Sequence, residues 1–377
     1  METNKKPTVC LGIICKNEEK TIDPFLENVY KYIDYWIVYD MGSIDSTNKI
    51  ITDFFERKNI NGELCKYEQQ SIAVVKTLMF ERCYKKTDYV LHLETDMELV
   101  GEINIMNIEY KNYIGLLCKY IKDEIINKKM LFYNNNLRWV CNGQKNNIIC
   151  IDNINFLKTE FLNNDDFYIR KFKNSEEKLL EENQDLIMQY KKTIIDSNST
   201  VNDLYCYNIA MNYFDLNDYN TALEWLSLYS KQQKNITEEL YVVYLKIIEC
   251  MICLNYTTYK IVKTASRAIL LFPDRGDHFY ILALFFIDIC NYDMAYYCFS
   301  KIKNIKLSEI IAKYNLNIMS NAYGNKINYL YAVACINTKR KEEAINLLKD
   351  LLNDNSISLD IKKKAKDLNI LLENNNI

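Results

Sequence analysis

The sequence is poor in the residues that build tight turns, with 8 glycines and 3 prolines among 377 residues. This scarcity disfavours an all-β protein with many short hairpins and allows long helices. The two histidines, His92 and His278, are too few for a histidine-rich metal centre. No apolar run approaches the 18 residues of a membrane-spanning helix. The net charge of −3 gives no basic excess, so nucleic acid is not an expected partner.

Cysteine, in contrast, is plentiful: the chain has 13, an odd number scattered along its length. In a chain this long, such a distribution indicates buried free thiols in a reducing compartment and not a disulfide framework or a zinc site. The N-terminus, METNKKPTV, has no signal-peptide pattern. We therefore expect a soluble, cytoplasmic protein without a membrane span.

An apolar segment that ends in acidic residues is the central feature of the sequence. Residues 89–93 have strand character, and Glu94-Thr95-Asp96 follows directly. In an extended segment Glu94 and Asp96 project from the same face. Two such carboxylates can bind a divalent cation, with phosphate oxygens at its other positions. The alternative interpretation is a solvated strand end with a few acids.

The first hundred residues alternate between apolar strand-like runs and helical periodicity. The predicted strands are 8–15, 35–39, 64–67 and 88–93, and the predicted helices are 25–33, 48–55 and 72–84. This order predicts a parallel α/β sheet, in which ligands bind outside the carboxyl ends of the strands. Three polar clusters, Lys16-Asn17-Glu18, Asp40-Met41-Gly42-Ser43 and Glu94-Thr95-Asp96, are therefore expected at one edge. Further strands are predicted at 114–121 and 129–133.

Strand patterns end near Ser175, and the rest of the chain is helical and rich in tyrosine. We place the domains at 1–195 and 196–377. Similar segments recur around Ala210, Ala283 and Ala334, with an intervening unit at about 240–273. The spacing of the first two is about two 34-residue tetratricopeptide periods, which predicts stacked helix pairs with small residues at their contacts. The alternative is an irregular helical bundle.

Three motifs of the first domain match a known pattern. Residues 14–19 (ICKNEE), 38–47 (VYDMGSIDST) and 88–96 (DYVLHLETD) resemble, in order and spacing, the VKNEE, VVDTGSTDGT and DYVLFLDADE segments of family 2 glycosyltransferases with the GT-A fold. Lys76 stands where the family has an arginine, and Trp139 lies in a segment similar to a further family motif. The helical half resembles the tetratricopeptide-type tail of one branch of that family.

The resemblance implies transfer of a sugar from a nucleotide diphosphate sugar, a UDP-sugar by family precedent, to a hydroxyl on a glycan, lipid or protein. It further implies an inverting displacement with Mn²⁺ or Mg²⁺ held by Glu94 and Asp96, where the metal would neutralise the leaving diphosphate. The donor-binding residues carried over are Cys15, Lys16, Asn17, Glu18, Asp40, Lys76, Glu94, Thr95 and Asp96. Two have local alternatives: Glu18 as an acid at a helix N-terminus, and Lys76 as a solvated helix lysine.

Two departures from the family pattern weaken the expected metal and base. Glu94 replaces the usual aspartate, and Asn146-Asn147 falls where the family has a His-Glu pair. Asparagine cannot act as a base near neutral pH. Asp123, Glu124 and Asp152 lie in the appropriate part of the domain, with Asp123 and Asp152 as weak candidates, and the catalytic base stays unassigned.

A second function class fits the same departures. The first domain would then be a degenerate transferase that at most binds nucleotide, and the helical half would present a surface to a protein partner. A homodimer through the helical half is a third hypothesis.

Overall fold

The computed structural model describes residues 6–67, 71–103, 113–122, 124–142, 147–152, 158–162, 167–171, 203–355 and 357–373. The chain forms two compact units. The first comprises Met1–Asp123 and Asn127–Asn174, and the second comprises Glu124–Ile126 and Ser175–Ile377. The domain boundary predicted at 195/196 lies outside the described residues and stays a prediction.

The first unit begins with the predicted alternation of strands and helices. Parallel strands lie in the order β3 (Gly62–Lys66), β2 (Tyr35–Asp40), β1 (Val9–Cys15), β4 (Tyr89–Leu91), with helices α1 (Ile22–Val29), α2 (Thr47–Lys58) and α3 (Ile72–Cys83) in the connections. Alternate residues of β1 enter two separate apolar clusters, one containing Leu11 and the other Cys10. Both faces of the sheet are therefore buried, which explains why these strands are apolar throughout.

The remainder of the sheet is mixed. Strand β4 pairs antiparallel with β7 (Ile125–Asn134), and β6 (Tyr113–Lys122), β11 (Tyr168–Lys171) and β5 (Met97–Val100) follow in that order. Strand β10 (Lys158–Phe161) also pairs with β6, while β8 (Trp139–Asn142) and β9 (Asn147–Cys150) form a separate antiparallel pair. The mostly parallel α/β class is confirmed, but β4 ends two residues before the predicted strand, and β5 was not predicted.

The second unit, in its described residues, is built largely from paired helices of tetratricopeptide type, as the repeats predicted. The helices are α4 (Asp203–Asp215), α5 (Tyr219–Gln232), α6 (Glu238–Cys253), α7 (Thr258–Leu271), α8 (Asp277–Asp288), α9 (Tyr292–Ile302), α10 (Leu307–Lys313), α11 (Asn328–Asn337), α12 (Lys341–Asn353) and α13 (Leu359–Glu373). A short strand, β12 (Ile318–Met319), precedes α11. The predicted unit at 240–273 corresponds to the pair α6 and α7.

The turn inside each pair repeats one backbone feature. Asn217, Asn255, Cys290 and Lys339 each have a positive φ, between 55° and 62°. This left-handed residue ends the first helix of a pair, as is common at helix C-termini. Alanines are fully buried where the helices meet, at positions 210, 222, 265, 268, 283, 295, 332 and 344. Small side chains let the paired helices approach closely, so that neighbouring pairs share one core.

A buried ion pair fixes the segment between α7 and α8. Arg275 and Asp277 are both fully buried, and the Nε of Arg275 donates to Oδ2 of Asp277 at 2.9 Å. The other guanidinium nitrogens of Arg275 donate to the carbonyls of Leu316 (3.0 Å) and Asn317 (2.7 Å). Asp277 also accepts hydrogen bonds from the Tyr323 hydroxyl and from the backbone N–H of Met319. The network joins residues 275–277 to 316–323, so its role is structural.

The cysteines of the described residues are free thiols. Cys10, Cys15, Cys83 and Cys118 are buried in the first unit, and Cys206, Cys250, Cys298 and Cys335 are buried in the second. Cys250 and Cys253 are three residues apart on α6, one buried and one exposed. Within the described chain, no helix has the length and apolarity needed to cross a bilayer.

Candidate functional site

The carboxyl ends of β1, β2 and β4 lie side by side, because β1 pairs in parallel with both neighbours. The loops after β1 and β2 are tied together by hydrogen bonds. The N–H of Asn17 donates to Oγ of Ser43 (2.9 Å), and the N–H of Ile44 donates back to Oδ1 of Asn17 (3.0 Å). The N–H of Glu18 donates to Oγ1 of Thr47 at 2.7 Å. The two loops therefore form one structured rim.

Asp40, the last residue of β2, organises its own loop. Its side chain is buried, Oδ1 accepts the N–H of Ser43 at 2.9 Å, and Oδ2 accepts the Asn48 amide at 2.8 Å. Burial alone would raise the pKa of Asp40, but these hydrogen bonds outweigh it and hold the pKa below its usual value. The carboxylate is thus ionised and fixed.

The other residues predicted in the loop after β1 differ in their surroundings. Cys15 is buried, and burial, together with the Asp40 carboxylate, raises the pKa of its thiol to about 12, so it is not a nucleophile. Lys16 is exposed at the rim. The carboxylate of Glu18 accepts the Thr21 hydroxyl, and its carbonyl accepts the N–H groups of Thr21 and Ile22 at 2.9 Å. Glu18 thus supports the start of α1, and its proposed ribose contact stays a prediction.

Glu94 and Asp96 lie in a turn after β4 that is closed by the N–H of Met97 on the carbonyl of Glu94 (3.0 Å). Both carboxylates have ammonium partners. Glu94 Oε1 lies 3.9 Å from Nζ of Lys76 and 3.7 Å from Nζ of Lys129. Asp96 Oδ2 lies 2.6 Å from Nζ of Lys171. Lys76 is 8% exposed, so it is not the solvated helix lysine of the alternative interpretation.

The protonation states of this cluster follow from burial and charge. Burial raises the pKa of Glu94, but the positive charges of Lys129 and Lys76 lower it by more, so the net shift is downward. Burial lowers the pKa of Lys171, whereas Asp96 raises it, and the net shift is upward. Burial lowers the pKa of His92 to about 4, so its ring is neutral at pH 7. Nδ1 of His92 lies 2.7 Å from the carbonyl oxygen of Gly12. Because a carbonyl oxygen can only accept a hydrogen bond, Nδ1 carries the proton of the neutral ring.

The described residues are a poor fit for a divalent cation. Two carboxylates suffice for Mg²⁺ when substrate phosphates complete its coordination, and Asp96 Oδ1 is buried without a hydrogen-bond partner among the described residues. However, both carboxylates are already paired with ammonium groups. Unit charges 4 Å apart near a protein surface interact by about 4 kcal/mol, so each ammonium strongly opposes an added cation. The described residues contain no cluster of three or more His, Cys, Asp or Glu side chains suited to a metal.

The candidates for a catalytic base that the structure describes are paired with groups outside this cluster. Asp123 and Asn146 lie outside the described residues, as does the side chain of Asn147. Asp152 accepts the N–H and Nε of Arg138 at 2.7 and 2.9 Å, and these bonds lower its pKa and make it a weaker base. Glu124 belongs to the second unit, where it accepts the Ser320 hydroxyl at 3.0 Å.

Sequence reasoning missed Lys129, Lys171 and Asn48. Lys129 and Lys171 come from β7 and β11, far along the chain from Glu94, and no local pattern marks them. Asn48 lies in the first turn of α2, a few residues after Asp40. An amide side chain at the start of the helix that follows β2 is a sequence signal from which its hydrogen bond to Asp40 could have been predicted.

No protein-family model matches the chain, and no curated protein matches it in sequence. Solved structures similar to it include the mannosyltransferase PcManGT from Pyrobaculum calidifontis in complex with GDP-Man and Mn²⁺, at 13% identity, 71% coverage of this chain, 86% of that chain and a TM-score of 0.37. MamA is 17% identical over 52% of this chain and 99% of its own, with a TM-score of 0.35. The TPR protein TTC0263 from Thermus thermophilus is 12% identical over 51% and 98%, with a TM-score of 0.31. Since these TM-scores lie below 0.5, functional assignment has to rest on the site.

Proposed function

We propose that the first unit is a glycosyltransferase that uses a nucleotide diphosphate sugar. The observation that carries the proposal is the convergence of three polar segments at the carboxyl ends of β1, β2 and β4. This is the edge at which open α/β sheets bind ligands. One side of it holds a fixed, ionised Asp40, and the other holds Glu94 and Asp96 with their lysine partners.

In this proposal, each segment takes one part of the donor. Asp40 accepts hydrogen bonds from the nucleoside, as carboxylates do from ring N–H groups and ribose hydroxyls. The cluster after β4 faces the diphosphate and the sugar. The acceptor hydroxyl oxygen bonds to the anomeric carbon as the bond from that carbon to the phosphate oxygen breaks. The nucleoside diphosphate leaves with the electron pair, and the acceptor proton passes to a base that is not assigned.

A donor screen tests the proposal. The full chain is incubated with UDP-sugars and with GDP-sugars such as GDP-mannose, in Mn²⁺, in Mg²⁺ and in EDTA, and release of the nucleoside diphosphate is measured. We expect hydrolysis or transfer with at least one donor. Asp96→Ala should reduce turnover by about 100-fold, because the ammonium group of Lys171 loses the carboxylate that holds it at 2.6 Å. Asp53→Asn, a change at an exposed acid on α2, is the matched control and should have no effect.

The absence of turnover with every donor, by protein whose circular dichroism indicates folding, would overturn the proposal. It would favour the alternative of a degenerate transferase whose helical unit binds a protein partner. The acceptor class (glycan, lipid or protein) follows from a product screen once a donor is known. Light scattering would test a homodimer through the helical unit.

A further inference from the structure

The cluster after β4 has more positive than negative charge. Among the described residues, Lys76 from α3, Lys129 from β7 and Lys171 from β11 face only two carboxylates, Glu94 and Asp96. The cluster therefore carries a net charge of about +1, and its three ammonium groups provide the hydrogen-bond donors.

Lys76 has unused hydrogen-bonding capacity. It is almost fully buried, yet its nearest carboxylate oxygen is 3.9 Å away, beyond hydrogen-bond distance. Within the described chain its ammonium group makes no hydrogen bond. Lys129 is similar: Nζ lies 3.7 Å from Glu94 and 3.4 Å from the Met97 sulfur, a weak acceptor. Buried ammonium groups without good acceptors are costly, and an anionic ligand would supply those acceptors.

We propose that Lys76, Lys129 and Lys171 bind the diphosphate of the donor and neutralise the leaving group without a divalent cation. This inference rests on the proposed transferase function. During transfer, the electron pair of the broken bond stays on the diphosphate, which gains one negative charge. The excess positive charge of the cluster stabilises this added negative charge, so a bound metal ion is not required.

The carboxylates have a complementary role in this arrangement. Asp96 holds the ammonium of Lys171 at 2.6 Å, and Glu94 keeps Lys76 and Lys129 within 4 Å of one oxygen. Without them, three ammonium groups would repel one another and disperse. Asp96 and Glu94 are therefore positioning residues for the lysines. A metal ligand role would instead require them to release these partners.

The test measures the affinity of the full chain for inorganic pyrophosphate, UDP and GDP by calorimetry, in EDTA and in Mn²⁺. Lys76→Gln, Lys129→Gln and Lys171→Gln are compared with wild type. Lys31→Gln is the control, because Lys31 is an exposed lysine of the same unit whose partner is Glu102, at 3.3 Å. We expect binding in EDTA, an affinity loss of about tenfold for each cluster variant, and no change for the control. Unchanged melting temperatures exclude misfolding.

Three results would overturn the inference. The first is binding that appears only with Mn²⁺, and the second is affinities unaffected by the lysine changes. If either of these two results is obtained with UDP or GDP, the transferase proposal still stands, because the nucleotide part of the donor binds. The third is an absence of pyrophosphate and nucleotide binding in both conditions. If the ligands bind in EDTA through the lysines but no sugar is ever turned over, the transferase proposal fails and the lysine site remains.

Discussion

The two units each contain a cluster of buried or half-buried charges, and the two clusters are built differently. In the second unit, Arg275 and Asp277 are fully buried, and their charged groups are surrounded by protein hydrogen-bond partners. In the first unit, Glu94 is 47% exposed and meets its lysines at 3.7–3.9 Å, and Asp96 Oδ1 is buried without a partner in the described chain.

The difference separates a structural cluster from a candidate binding site. A network whose members satisfy one another holds two chain segments together and leaves no group for a ligand. A cluster with unmatched charge and unused donors is costly to the folded state, and such groups concentrate at functional sites. The comparison predicts that substitutions in the second unit mainly change stability, whereas substitutions in the first mainly change binding.

The largest expected effect on stability is that of Asp277→Ala. It leaves Arg275 as an unpaired buried charge, which costs about 3–5 kcal/mol of unfolding free energy. Urea unfolding followed by circular dichroism measures this. The double variant Arg275→Met/Asp277→Ala should be less destabilised than Asp277→Ala, because no buried charge remains. Equal losses in both variants would indicate that packing, and not the lone charge, sets the cost.

A smaller effect is expected from each of the two histidines as the pH falls. Burial lowers the pKa of both His92 and His278 to about 4 in the folded protein, against about 6.5 when unfolded. The unfolded chain therefore takes up protons first, and the stability present above pH 6.5 is lost as the pH falls towards 4. By pH 5 the loss is about 2 kcal/mol per histidine.

Thermal unfolding between pH 7 and pH 5 measures this dependence, because most carboxylates stay ionised in both states over that range. His92→Gln and His278→Gln should each remove about half of the dependence. If both variants keep the full wild-type dependence, the two histidines have the same pKa in the folded and unfolded states, and burial does not lower it.

The smallest effect on stability is expected from Lys129→Gln, although it should lose ligand affinity. The side chain is 33% exposed, and its ion pair with Glu94 is long, so the change in unfolding free energy should stay below about 1 kcal/mol. Urea unfolding beside the Asp277→Ala variant measures the contrast. A loss as large as that of Asp277→Ala would mean that both clusters are structural.

Local sequence patterns were sufficient for part of this architecture. The apolar runs ending at Cys15, Tyr39 and Leu93 located three neighbouring strands and their polar ends, because parallel strands place their carboxyl ends together. The lysine partners were not predictable in the same way. Lys171 reaches Asp96 through the antiparallel pairing of β11 with β5, where Lys171 opposes Met97. Such long-range register is not encoded in any short segment, and β5 itself is only four residues long.

The free thiols give the molecule its own reporters of local opening. Burial raises the pKa of the thiols of Cys15 and Cys298 to about 12, so they are both shielded and protonated in the closed fold. Cys253 and Cys290 are exposed and accessible from the start. An alkylating reagent followed by mass spectrometry would therefore modify the exposed pair at once and the buried thiols at the frequency with which each unit opens. One experiment thus measures the local opening of both units, and no additional cysteine has to be introduced.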